Sequence, residues 1–259
     1  MQPNLKQLHQ SAIHSLNQGK IEQAHKALVE LVTLKPDFAD GYFLLAMVNL
    51  TVGQIHKAIK LIEKALTLGQ SIEYTAQLAK CYALTGELQK AKNTALSVPL
   101  KQITKALDAD TLGVALTQAG IHEQALNYFE RAITLATAAN KAQPPFYYNY
   151  GVSAKFLGLF DKAQHAFENA IALNPLHHQS HFALSDLTKV SKQNNHIERL
   201  KNVFEQVTHP DAKLHIGHAL AKEYQDIGEF SEAFNALEQG KLAKLAVQPF
   251  DHKSSTELF

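Results

Sequence analysis

The sequence predicts an all-α chain built from about seven helix pairs, and three observations carry that expectation. Gly19, Gly53, Gly86, Gly120, Gly158 and Gly228 stand 34, 33, 34, 38 and 70 residues apart, the last gap being two periods of 35. Five residues after each glycine comes an alanine: Ala24, Ala58, Ala91, Ala125, Ala163 and Ala233. Seven residues before each comes another small residue: Ala12, Ala46, Ala79, Gly113, Gly151 and Ala221. Self-similarity at such a period marks a repeat architecture in which each unit buries its apolar face against the next.

Each member of the triplet has a physical reason. The glycine ends the first helix of a pair (A), where left-handed capping backbone carries no Cβ penalty. The two small residues stand where helix A and its antiparallel partner B approach most closely. Large residues fill the remaining core positions. Leu45, Leu78, Leu112, Tyr150, Leu184 and Leu220 precede the small position or its equivalent, and Leu28, Ile62, Phe129, Phe167 and Leu237 follow the alanine by four residues, on the same helix face.

Taken in order, the first repeat (5–38) closes at Pro36, since proline can follow a helix but not continue it. The second (39–71) and third (72–105) keep the spacing. The fourth (106–143) ends in Ala138-Ala139-Asn140-Lys141-Ala142-Gln143-Pro144-Pro145, about four residues beyond the period, which predicts a longer inter-repeat loop. The fifth (144–177) closes at Pro175. The sixth (178–213) has Lys192 in place of glycine, within the polar turn Ser191-Lys192-Gln193-Asn194-Asn195. There Asn195 and Glu198 read as an N-cap and its return partner, opening a helix with the apolar face Ile197, Leu200, Phe204 and Val207. The seventh (214–247) ends in a B helix over about Ser231 to Val247, and 248–259 reads as a linker toward a C-terminal domain outside this chain.

The run Tyr147-x2-Tyr150-Gly151-x6-Gly158-x4-Ala163-x3-Phe167-x2-Ala170-x4-Pro175 resembles a tetratricopeptide repeat (TPR) of ~34 residues, and the resemblance extends over 5–247. It implies an α-α solenoid, a right-handed TPR superhelix, with a concave groove lined mainly by A helices. A second stretch comprises His196-Ile197-x2-Leu200, Ala219-Leu220-Ala221-Lys222-x4-Ile227-Gly228-Glu229-Phe230-Ser231-Glu232-Ala233-Phe234, Gly240-Lys241 and Phe250-Asp251. It is similar to the segment before the catalytic domain in bacterial TPR–sulfotransferase fusions. That resemblance implies a catalytic domain in cis beyond Phe259, using 3′-phosphoadenosine-5′-phosphosulfate (PAPS). No phosphosulfate loop stands in this chain, so no catalytic or cofactor-binding residue is carried over and no cofactor is expected within it. The competing expectation is a free-standing adaptor or assembly scaffold with no enzyme attached.

Composition agrees with an interaction module. Lys and Arg number 25 against 24 Asp and Glu, a net charge of +1, and a dedicated nucleic-acid binder shows a basic excess instead. One cysteine, Cys81, leaves no intrachain disulfide framework and fits a reducing compartment. The start, Met1-Gln2-Pro3-Asn4-Leu5-Lys6-Gln7, does not read as a signal peptide, and no run of ~18 apolar residues suits a bilayer. A cytoplasmic protein with neither nucleic acid nor membrane as partner is expected.

The repeat phase places groove candidates on the A helices: Phe43 and Met47, Lys80, Asp110 and Val114, Tyr148, Val152 and Lys155, Phe182, Asp186 and Lys189, and His218 and Lys222. Lys155, Lys189 and Lys222 follow at one-repeat intervals, a basic ladder suited to an acidic protein or peptide, or else a solvated helix face. The carboxylate clamp of chaperone-binding repeats is not present, its positions being Lys6, His9, Phe43, Met47 and Ala76. His178 with His181, and His215 with His218, have a spacing compatible with zinc or nickel, but the sparse carboxylates and distant cysteine favour solvated histidines and no metal site. Cys81 reads as a buried structural thiol. Tyr147 and Tyr150 read as packing residues and Tyr148 as a groove residue. An apolar terminal repeat left open at the C-terminal face predicts self-association.

Overall fold

The structure, a computed structural model, describes residues 5–248. Among the described residues all regular structure is helical, with 14 α-helices, one short 3-10 turn and no strand. The chain divides into two compact units, Met1–Ala139 and Asn140–Phe259. In the first, α1 (Leu5–Asn17) pairs with α2 (Ile21–Leu34), α3 (Ala39–Thr51) with α4 (Ile55–Leu68), α5 (Ile72–Leu84) with α6 (Leu88–Leu96), and α7 (Ala106–Gln118) with α8 (His122–Ala138). In the second, the pairs are α9 (Pro144–Phe156) with α10 (Phe160–Leu173), α11 (His178–Ser185) with α12 (Ile197–Gln206), and α13 (Pro210–Asp226) with α14 (Phe230–Leu245). Odd-numbered helices are A helices and even-numbered ones B helices.

Six of these pairs turn in the same way. The six periodic glycines all have positive φ, from +69° at Gly19 to +85° at Gly228. The amide following each glycine donates to the carbonyl five residues back, as in Lys20 to Ser15 (2.8 Å), Glu87 to Tyr82 (2.8 Å) and Glu229 to Tyr224 (2.9 Å). This is the doubly bonded helix C-cap that needs a left-handed residue, so the period of the sequence is the period of its turns.

The small positions do what their size allows. Ala12, Ala24, Ala46, Ala58, Ala79, Ala91, Ala125 and Ala163 are fully buried. In the fourth and fifth pairs the small residue is glycine because the core residue opposite is phenylalanine. A Cβ on Gly113 would lie 2.6 Å from Phe129 Cε1, and one on Gly151 only 2.5 Å from Phe167 Cε1. Where the opposing residue is Leu28 or Ile62, alanine fits.

Several boundaries differ from the sequence reading. The residues around 138–145 extend α8 to Ala138, 17 residues long, so the loop before Pro144 is shorter than expected; Asn140 takes a left-handed turn there (φ 53°). Helix α6 stops after nine residues, ahead of Pro99, whose ring disfavours helical backbone at the residue before it. The 3-10 turn Leu100–Gln102 follows. Helix α11 ends at Ser185, α13 begins at Pro210, and the last B helix covers Phe230–Leu245 rather than Ser231 to Val247. The expected capping box of the sixth pair does not form: Asn195 Oδ1 accepts from the Ile197 amide (3.2 Å), but Glu198 pairs with Lys201 (2.9 Å). Most of the expected linker, 249–259, lies outside the described residues.

With no glycine to turn the sixth pair, side chains of the next A helix hold its long connection. Asp226 accepts from the Val190 amide (2.9 Å), and Lys222 donates to the Thr188 carbonyl. Glu223, fully buried, accepts from the His196 amide (2.6 Å) and faces the His196 ring Nδ1 (2.8 Å). Lys192 reaches Glu229 at 3.2 Å. Lys222, Glu223 and Asp226 replace a backbone cap with side-chain partners.

Candidate peptide-binding surfaces

In the first unit the A-helix face is organised around Asp40 at the start of α3. Its carboxylate accepts from the Tyr74 hydroxyl on α5 (3.0 Å) and lies 2.6 Å from His9 Nε2 on α1. Burial, then the Asp40 charge, pushes the Tyr74 phenol far above its ordinary range. Phe43 stacks on Tyr74 at 4.3 Å and 25° and is only 4% exposed, so its ring is core rather than a groove contact. Asp110 is also buried, whereas Met47, Lys80 and Val114 are part-exposed. Lys105, at the N-cap of α7, pairs with Glu73 of α5 at 2.7 Å. Burial raises the neighbouring Asp108 carboxyl above its usual range, while Lys105 acts in the opposite sense.

In the second unit the lysine ladder is largely neutralised. Lys155 on α9 meets Asp186, at the end of α11, at 2.5 Å. Lys222 pairs with Asp226 on its own helix at 2.7 Å, besides its bond to Thr188. Lys189 is exposed but lies beyond the end of α11, because that helix stops four residues short of it. The three lysines therefore do not form a row of free charges. Periodicity placed them correctly along the chain, but not the partners about 31 to 34 residues away that occupy them.

What lies between these pairs is a cluster of rings. Phe182, 36% exposed on α11, stacks on His215 of α13 (5.7 Å, 16°) and meets His218 edge-on at 6.3 Å. His178 and His215 face each other through Nδ1 atoms 2.7 Å apart. Tyr148 and Val152 of α9 are half-buried, with the Tyr148 ring against Phe167 (6.1 Å) and His177 (5.8 Å). Burial raises the Tyr148 phenol above its ordinary value. His177 bonds Ser180 Oγ at 2.8 Å.

The four spaced histidines do not converge on one point. His181 turns inward, is 1% exposed and donates from Nε2 to the Pro175 carbonyl at 2.8 Å, leaving its buried Nδ1 without a partner. Among the described residues no group of three or more His, Cys, Asp or Glu side chains is arranged to hold a metal. Cys81 is fully buried, and burial pushes its thiol up to about 11. Sequence reasoning missed the Asp40 hub and the pairing of His178 with His215. The near one-repeat spacing of Asp40 and Tyr74, and of His178 and His215, was the available signal.

Stacked helix pairs of ~34 residues with Gly-turned, Ala-lined interiors define the tetratricopeptide class. The chain carries tetratricopeptide repeats: family models of that description match residues 10–74 and 144–175. Among solved structures it is similar to a chain of the APC/C Cut9–Hcn1 hetero-tetramer (18% identity, TM-score 0.63), covering 92% of this chain but 43% of that one. A tetratricopeptide repeat protein from Parabacteroides merdae matches at 15% identity and TM-score 0.61, over 98% of this chain and 96% of that one. PilF of Pseudomonas aeruginosa matches at 19% and 0.60, over 90% and 96%. These likenesses show the fold. Comparison with curated proteins returns no match.

Proposed function

We propose that the chain is a non-catalytic module that binds a protein or peptide along the A-helix faces of its units. A tetratricopeptide scaffold is suited to protein interaction, and one observation carries its assignment to a surface. The A face of the second unit presents Tyr148, Phe182, His215 and His218 as part-exposed rings between charges that cancel one another. Rigid aromatic and imidazole side chains give contact area at low entropic cost, and paired charges beside them leave those rings accessible to an extended chain. Selection of a displayed random-peptide library against the full chain tests this. Enriched peptides that lose at least tenfold in affinity with Phe182→Ala support it; enrichment indifferent to Phe182, Tyr148 and His215 contradicts it.

The finer proposal, an N-terminal interaction region of a PAPS-dependent sulfotransferase-like enzyme, is supported by the resemblance over 196–251. A reading frame that continues beyond Phe259 into a strand and a phosphosulfate-binding loop would bear it out, and a stop codon there would contradict it. Self-association is supported by α14, where Phe230, Phe234 and Leu242 are 68%, 65% and 56% exposed. Sedimentation showing a monomer at all concentrations would remove that proposal. No helix among the described residues is long and apolar enough to cross a membrane. A cytoplasmic location is part of the same proposal.

A further inference from the structure

We propose that His178, His215 and His218, beside Phe182 on the second unit's A face, bind an acidic peptide segment, and bind it more tightly as the pH falls. The inference rests on the A face being the binding surface and names the partner's chemistry. Of the permanent cations nearby, Lys155 is paired with Asp186 (2.5 Å), Lys222 with Asp226 (2.7 Å) and Lys244 of α14 with Asp211 (2.6 Å), while Lys189 stands exposed beyond the end of α11. With most of the fixed charge paired, the histidines set how positive this face becomes as the pH falls.

The geometry makes that charge responsive. Two Nδ1 atoms 2.7 Å apart require one N–H and one lone pair, so a proton on both drives the rings apart. Because the Nδ1 atoms face each other, Nε2 is the remaining nitrogen of each ring for a further partner. Phe182 of α11 stacks on His215 of α13, so a proton taken up by the His178–His215 pair adds positive charge beside that stack.

Burial, and then the neighbouring histidine, holds both His177 and His178 below the ordinary imidazole value, with His181 the neighbour of the first and His215 of the second. Burial lowers His215 as well, with Asp211 opposing and His218 reinforcing. The remaining charged or titratable neighbours of the pair are His209 and His177, and Asp211 is itself tied to Lys244. A peptide carboxylate replaces the missing counter-charge. By linkage its binding draws in protons, and protonation strengthens its binding by the same factor.

The test uses the full chain with chelator present and a labelled peptide repeating Glu-Gly-Ala, with a Gln-Gly-Ala peptide as control. Glutamates stay ionised down to about pH 5.5, so an acidic peptide can still recruit protons to imidazoles that burial holds below their ordinary value. Affinity for the Glu peptide should rise about tenfold or more from about pH 7.5 to about pH 5.5, tenfold corresponding to one pKa unit of coupling. The Gln peptide should show no rise. His178→Gln/His215→Gln should abolish the rise at an unchanged melting temperature, while His165→Gln on α10 keeps it. Should the double variant fold poorly, imidazole NMR titration of the native chain decides: the Glu peptide should raise the His178 and His215 midpoints and the Gln peptide should not. Equal affinity at both pH values, a rise that survives the double variant, or unmoved midpoints overturns the inference. Library peptides that bind this face equally at both pH values would leave the surface assignment standing while the histidine inference falls; if no peptide binds it, both fall.

Discussion

At the residue scale, Gly151 and Phe167 show how much of the fold one pair can specify. A phenyl ring occupies the space where any Cβ at 151 would lie, and the same holds for Gly113 and Phe129. Gly151→Ala should therefore cost about 1–3 kcal/mol by overpacking, read as a lower urea midpoint, and Phe167→Leu in that background should recover part of it. Gly158→Ala should cost about 1 kcal/mol for a different reason, its positive φ of 73°, and Phe167→Leu should leave that loss unchanged. Cys81 supplies a pH prediction. Its thiol rises from 9.0 to about 11, so the folded state keeps a proton that the unfolded state releases. That contribution to stability is complete below about pH 9 and is lost as pH rises toward 11. Alkylation of the native chain at pH 8 should proceed only at the rate of unfolding; rapid native alkylation would contradict the burial.

At the element scale, the turns were legible in the sequence and the exceptions were not. A left-handed cap favours glycine, so six caps leave six readable marks. The sixth pair lacks the mark because it uses another device: Glu223, buried on α13, takes the His196 amide and faces its ring. Such a contact spans 27 residues and leaves no periodic trace. The same blindness hid Asp186 from the lysine-ladder reading, and Tyr74 from the reading of Phe43 as a groove residue; Asp226, four residues after Lys222 on one helix, was open to a sequence reading. The extra residues before Pro144 were visible, but helical propensity carried α8 through Ala138 where a loop was expected. Glu223→Ala should leave the connection 186–196 without its anchor. We expect a loss of about 2–4 kcal/mol, with hydrogen exchange of the amides near Val190 and His196 accelerating before those of α13. Uniform acceleration along the unit would show that the anchor is not local.

At the scale of the whole molecule, the two compact units hold four and three helix pairs. Repeat stability is set mainly within pairs and between nearest neighbours, and about three repeats suffice for a core. Residues 1–139 expressed alone should keep helical circular dichroism and a cooperative melt; a non-cooperative melt would contradict this. The fold class was legible at this scale, because the repeat period recurs along the chain. Of the groove candidates, Tyr148, Phe182 and His218 are part-exposed on A helices, while the Lys155–Asp186 pair, 31 residues apart, became visible only in three dimensions.

The central claim is that this face does the binding. Hydrogen-exchange mapping of the full chain, with and without a peptide enriched from a random library, tests it most directly. We predict protection concentrated on α9, α11 and α13 around Tyr148, Phe182 and His215, with the B helices α10 and α14 unchanged. Protection confined to the B helices, or binding that leaves α11 and α13 untouched, would contradict the account.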